Sequence, residues 1–127
     1  MPRILLIDDD ELLLQSVAQH LESDGHNVLV ARHGGIGLRL LEIHEVDLII
    51  TDLVMPEVEG MEFLMAVRRM DPTIPVIAIT GALGNEWSDE GRADYLKMAS
   101  GLGATRTLRK PFTPSQMRTL IAECLKK

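Results

Sequence analysis

Four acids, a hydroxyl and a lysine stand where apolar runs of this chain end. Asp8, Asp9 and Asp10 directly follow Ile4-Leu5-Leu6-Ile7, and Asp52 follows Leu48-Ile49-Ile50-Thr51. Thr80 closes Val76-Ile77-Ala78-Ile79, and Lys110 with Pro111 follows the segment from Thr105 to Arg109. If these ends converge, Asp8, Asp9 and Asp52 repel one another, and each resists ionisation unless a cation is present. A hard divalent ion relieves that repulsion. Mg2+ suits a site of one or two carboxylates, waters and a phosphate oxygen, so the set points to phosphate chemistry.

Convergence requires a particular scaffold, and the residue periods supply one. Ile4 to Ile7, Val28 to Ala31, Leu48 to Ile50, Val76 to Ile79 and Thr105 to Leu108 have the length and β-branching of buried strands. Between them lie stretches of helical spacing: Leu13, Leu14, Val17, Ala18 and Leu21; then Leu38, Leu41 and Ile43; then Phe63, Leu64, Val67 and Met70. A last stripe runs through Met117, Leu120, Ile121, Cys124 and Leu125, which makes Cys124 a core residue rather than a reactive one. Asp24-Gly25 ends the first helix and Asp71-Pro72 follows the third. Thr113-Pro114-Ser115-Gln116 reads as an N-cap, a proline at the first helical position and a capping-box partner. Strand and helix alternating in this way predict a parallel α/β sheet with helices on both faces, because parallel neighbours need crossovers. In such sheets ligands bind beyond the carboxyl ends of the strands, where the acids, Thr80 and Lys110 stand.

Composition narrows the classes. The 127 residues fit one domain, expected to span 1–127, and 46% hydrophobic against 25% charged residues is a globular balance. Aromatics are only 3%, so aliphatic side chains must fill the core. A net charge of −6 disfavours direct nucleic-acid binding. No apolar run approaches the ~20 residues that cross a bilayer, and the start lacks signal-peptide zoning, so no membrane contact and a cytoplasmic location are expected. The single cysteine excludes an internal disulfide and suits a reducing compartment.

The ordered set Ile4-Leu5-Leu6-Ile7-Asp8-Asp9-Asp10, Asp47-Leu48-Ile49-Ile50-Thr51-Asp52-Leu53-Val54-Met55-Pro56 with Gly60, Ile79-Thr80-Gly81 and Lys110-Pro111-Phe112 resembles the receiver domains of bacterial two-component response regulators, the CheY-like superfamily. The resemblance covers essentially the whole chain. It implies a flavodoxin-like doubly wound (βα)5 fold with strand order 2-1-3-4-5. It also implies that Asp52 accepts a phosphoryl group from the phosphohistidine of a sensor histidine kinase or a histidine phosphotransferase. Mg2+ would be held by Asp8, Asp9, Asp52 and the backbone carbonyl of Val54, with Asp9 a direct ligand and Asp8 acting partly through water. Lys110 and Thr80 would contact phosphoryl oxygens. The chain would then catalyse only its own phosphorylation and dephosphorylation, and its altered surface would signal to a downstream protein partner.

Other residues take plainer roles. Asp10 is expected to cap the first helix rather than bind metal. His20, His26, His33 and His44 lack ligand spacing and read as surface or helix-end residues; Met55, Met61, Met65 and Met70 read as loop or core; Gly34-Gly35-Ile36-Gly37 reads as a helix start. Pro111 has the place of a cis proline in many members of the resembled family, which the sequence leaves open.

Two departures from the family, and one further feature, bear on signalling. The stretch between Thr80 and Lys110 is longer than usual, with the added residues in a glycine-bearing loop over about 81–92 before the next helix. That loop holds Trp87, expected to cover the domain's own helices. Thr107 stands three residues before Lys110, where many receivers carry an aromatic, so the loop and the helix after it are expected to report phosphorylation instead. Val54, two residues after Asp52, and Ala82, two after Thr80, stand where residues of the resembled family influence attack of water on the acyl phosphate. Neither can hydrogen-bond that water, so the resemblance implies slow dephosphorylation. Three alternatives are weaker. A Mg2+-dependent phosphatase or phosphotransferase using Asp52 would need a second acid where Val54 stands. A flavin or nucleotide module would want aromatics and a longer glycine loop. A non-phosphorylated interaction module would have no use for all five key residues.

Overall fold

The computed structural model describes residues 2–53, 60–80, 101 and 103–125. Its elements are β1 (Arg3–Ile7), α1 (Glu11–Ser23), β2 (Asn27–Ala31), α2 (Gly34–Ile43), β3 (Leu48–Asp52), α3 (Gly60–Met70), β4 (Val76–Thr80), β5 (Arg106–Arg109) and α4 (Pro114–Leu125). The five strands form one parallel sheet in the order β2-β1-β3-β4-β5. The predicted long loop over 81–92, Trp87, and the helix expected after it lie outside the described residues.

Strand alternation divides the core in two. Leu5, Ile7, Ile49, Val76 and Ala78 face a cluster completed by Phe63, Leu64 and Val67 of α3, with Leu38 and Leu41 of α2 packed against it. Ile4, Leu6, Leu48, Ile50, Ile77 and Ile79 face the other, completed by Leu14, Val17 and Leu21 of α1 and Met117 and Ile121 of α4. Successive side chains of a strand point to opposite faces, and helices cover both, so these strands read as unbroken apolar runs. Each such side chain stabilises the fold by about 1.5–3 kcal/mol on burial. Cys124 packs against the second cluster; burial, aided by Glu123 and opposed by Arg106, raises its thiol pKa, which keeps it protonated.

Local signals act as their chemistry predicts. Asp10 caps α1, its Oδ1 accepting from the Leu13 N–H at 3.2 Å. Gly25 adopts φ +93° beyond the end of α1. Thr113 and Gln116 form the reciprocal capping box, Thr113 N–H to Gln116 Oε1 at 2.8 Å and Gln116 N–H to Thr113 Oγ1 at 3.1 Å. His33 and His44 flank α2 as its caps.

The structure also corrects several details. Ile43, Met65 and Met70 are not core residues, with exposures of 74%, 46% and 47%. Ile43 and Met70 are the last residues of α2 and α3, where side chains are only partly covered, and Met65 lies on a solvent-facing side of α3. Val30 is half exposed because β2 is an edge strand. The last strand begins at Arg106 rather than Thr105.

Candidate functional site

The sheet brings the predicted residues to one edge because its strands are parallel and end in register. Ile7 of β1 pairs with Thr51 of β3, Asp52 with Ile79, and Thr80 with Arg109. Asp8, Asp52, Thr80 and Lys110 therefore leave the sheet at the same end. Asp8 and Asp52 are buried, at 0% and 3% exposure, while Asp9 is exposed. One carboxylate oxygen from each of Asp8, Asp9 and Asp52 lies within 4.8 Å of the others.

Buried carboxylates need partners, and Lys110 supplies a shared one. Its Nζ donates to Asp8 Oδ2 at 2.8 Å and to Asp52 Oδ2 at 3.0 Å. Burial alone would lower the Lys110 pKa; the hydrogen bonds and charges of Asp8 and Asp52 outweigh it, so the ammonium is held above its ordinary value. The Lys110-Pro111 bond is cis. Asp8 is fixed from its other side by the Asp10 N–H, which donates to Oδ1 at 2.9 Å. Three carboxylates against one ammonium leave two negative charges in excess, all on hard oxygen donors. That donor set fits a divalent ion such as Mg2+.

Of the predicted residues, Asp8, Asp9, Asp52 and Lys110 are thus brought together. Thr80 ends β4 at the same edge, and Val54 lies outside the described residues. Thr107 is half-buried in β5, paired with Ala78. A groove of about 460 Å3 opens beside Lys110 between α1 and α4, lined by Leu13, Val17, Leu21, Phe112 and Met117 among others.

Two features escaped the sequence reading. Thr51 is fully buried, and its hydroxyl donates to the Asp52 carbonyl oxygen at 3.0 Å. A hydroxyl closing an apolar run was its only signal. Arg68 of α3 donates to the carbonyls of Gly103, Asp71 and Ile74, at 2.7 Å for Ile74. Gly103 has φ +113°, and a Cβ there would strike the Arg68 side chain. This contact ties the segment leading into β5 to α3.

Comparison with known proteins agrees with this arrangement. The response regulator receiver domain family matches residues 4–122. The transcriptional regulatory protein GlrR of Escherichia coli is 42% identical over 77 residues, covering 61% of this chain and 17% of that protein. The alkaline phosphatase synthesis transcriptional regulatory protein PhoP of Bacillus subtilis is 27% identical, covering 98% of this chain and 49% of that protein. The chain thus spans half or less of these curated relatives. Among solved structures, a response regulator receiver domain protein from Clostridium thermocellum superposes with a TM-score of 0.85 at 34% identity, covering 98% of this chain and 94% of that one. A CheY-like receiver domain protein from Methanospirillum hungatei JF-1 does so with 0.84 at 32% identity, with the same coverage.

Proposed function

This chain belongs to the response regulator receiver domain family of two-component signalling, and on that premise we propose that Asp52 is its phosphoacceptor. A carboxylate oxygen of Asp52 attacks the phosphorus of a phosphohistidine on a sensor histidine kinase or histidine phosphotransferase. The O–P bond forms, the P–N bond breaks, and its electron pair returns to the donor's imidazole. Receiver domains bind Mg2+ at an acidic pocket; here Asp8, Asp9, Asp52 and the Val54 carbonyl would hold it, and it would offset charge on the transferring phosphoryl oxygens.

Lys110 now bonds Asp52 Oδ2. Once that carboxylate carries the phosphoryl group, its ammonium has a phosphoryl oxygen to bind instead, while Asp8 keeps it in place. The Thr80 hydroxyl takes a second phosphoryl oxygen. The product is a changed surface, read by a downstream protein partner. No helix among the described residues is long and apolar enough to cross a membrane.

The observation that carries this reading is the meeting of Asp8, Asp9 and Asp52 within 4.8 Å, with Lys110 bridging Asp8 and Asp52. Incubation with acetyl phosphate and Mg2+, followed by intact mass, tests it. Wild type should gain one phosphoryl group and Asp52→Asn none; no gain in wild type, or the same gain in the variant, overturns it.

A further inference from the structure

We propose that Thr51 is a positioning residue for the phosphoacceptor, its buried hydroxyl holding the peptide that joins Asp52 to Leu53. The inference rests on the reading of Asp52 given above. Among the described residues, three polar or charged side chains are buried: Asp8, Asp52 and Thr51. The first two belong to the acidic site. Thr51 instead sits on the opposite face of the sheet, the face it shares with the core residues Ile49 and Leu53.

Burying the Thr51 hydroxyl costs free energy that one hydrogen bond roughly offsets. Its partner explains its presence. The Leu53 N–H donates to the Ile79 carbonyl of β4 at 3.0 Å. In a planar trans peptide the carbonyl of Asp52 must point the opposite way, toward β1. The β1–β3 ladder ends there, with the Ile7–Thr51 pair. The Thr51 hydroxyl donates to that carbonyl at 3.0 Å.

The Asp52–Leu53 peptide is therefore held at both ends, by β4 through its N–H and by Thr51 through its C=O. This restrains ψ of Asp52 and φ of Leu53 at the point where the chain leaves the sheet. It fixes the backbone that presents the Asp52 carboxylate to Asp8, Asp9 and Lys110. Small misplacements of reacting groups lower rates steeply.

The test compares Thr51→Val, which removes the hydroxyl and keeps the shape, with Thr51→Ser, which keeps the hydroxyl. Titration calorimetry gives Mg2+ affinity, thermal melting gives stability, and intact mass over time gives phosphorylation by acetyl phosphate, separated into maximal rate and donor saturation. Thr51→Val should stay folded and melt modestly below wild type, because the Asp52 carbonyl loses a donor. It should bind Mg2+ several-fold more weakly and lower the maximal phosphorylation rate by about tenfold, with donor saturation little changed. Thr51→Ser should restore Mg2+ affinity and rate. Wild-type Mg2+ affinity and rate in Thr51→Val, or a Thr51→Ser variant as impaired as Thr51→Val, would overturn the proposal. Thr51→Ala, which opens space rather than filling it, carries the same comparison if the valine variant unfolds. Wild type that takes neither Mg2+ nor phosphoryl refutes the phosphoacceptor reading itself; wild type that takes both, matched by Thr51→Val, refutes only the role of Thr51.

Discussion

Lys110 Nζ lies 3.0 Å from Asp52 Oδ2, although 58 positions separate the two residues. Their side chains are only 20% and 5% exposed, and the same ammonium also holds the fully buried Asp8 carboxylate. Removing one partner of a buried pair leaves the other charge uncompensated. Lys110→Met, which keeps most of the stem, should lower stability by about 3 kcal/mol without divalent ions, as urea unfolding would measure. Added Mg2+ should recover part of the loss. Stability equal to wild type in chelator would show that the lysine does not neutralise these acids.

The two negative charges left in excess make a metal prediction. A ligand that binds only the folded state stabilises it by about 2.7 kcal/mol at a hundredfold over its dissociation constant. Thermal melting should therefore rise with Mg2+, saturate, and fall back on adding EDTA. Asp9 is the exposed member of the three acids, without the buried contacts of Asp8. Asp9→Asn should abolish most of the Mg2+ response while leaving the melting temperature in EDTA nearly unchanged. An undiminished response would remove Asp9 from the metal site.

Much of this was legible in the sequence because the sheet is buried on both faces. Apolar runs such as Leu48 to Ile50 then mark strands directly, and a polar residue at the end of a run marks the strand's carboxyl edge. Asp52 and Lys110 could be placed at one edge without knowing that they touch. Their pairing depends on strand order and on the direction of a long side chain, which period cannot express. Thr51 was missed for a related reason, because a hydroxyl in a strand has many bland uses and its partner is a backbone carbonyl. Ile43 and Met70 failed differently: helical spacing gives the face of a side chain, not how fully the end of a helix is covered.

Gly37 tests how tightly α2 is seated. Alanine in place of glycine within a helix ordinarily gains about 1 kcal/mol. Here a Cβ would lie 2.6 Å from Ile7 Cδ1 and 3.2 Å from Phe63 Cε1, and both of those side chains are fully buried. Overpacking of this kind costs about 1–3 kcal/mol. Gly37→Ala should therefore destabilise the fold in urea unfolding; a gain in stability would mean that α2 lifts readily from the sheet.

Asp71 provides a pH dependence away from the acidic site. The Thr73 N–H, the Thr73 hydroxyl and the Ile74 N–H all donate to its Oδ1, and these bonds with the Arg68 charge outweigh burial to hold its pKa below the ordinary carboxylate value. A folded pKa below the unfolded one means that stabilisation is complete above the ordinary value near 3.8. It is lost as pH falls through the lowered one. Asp71→Asn, which keeps an acceptor oxygen but loses a solvent-screened charge, should cost about 0.5 kcal/mol or less near neutral pH, and the gap to wild type should close in strong acid. A gap that widens on acidification would contradict the sign.

If Asp52 accepts the phosphoryl group as proposed, the lifetime of that state follows from what flanks it in sequence. Hydrolysis needs a water aligned on the acyl phosphate, and a side chain that can hydrogen-bond that water speeds its attack by orienting it. Val54, two residues after Asp52, and Ala82, two after Thr80, offer no donor or acceptor. Wild type phosphorylated by acetyl phosphate and then freed of donor should lose the group slowly, over many minutes or longer, as followed by intact mass. Val54→Gln introduces an amide able to orient water and should shorten the lifetime by about tenfold. Loss within seconds from wild type, or an unchanged lifetime in Val54→Gln, would show that water reaches the phosphoryl group without help from these positions.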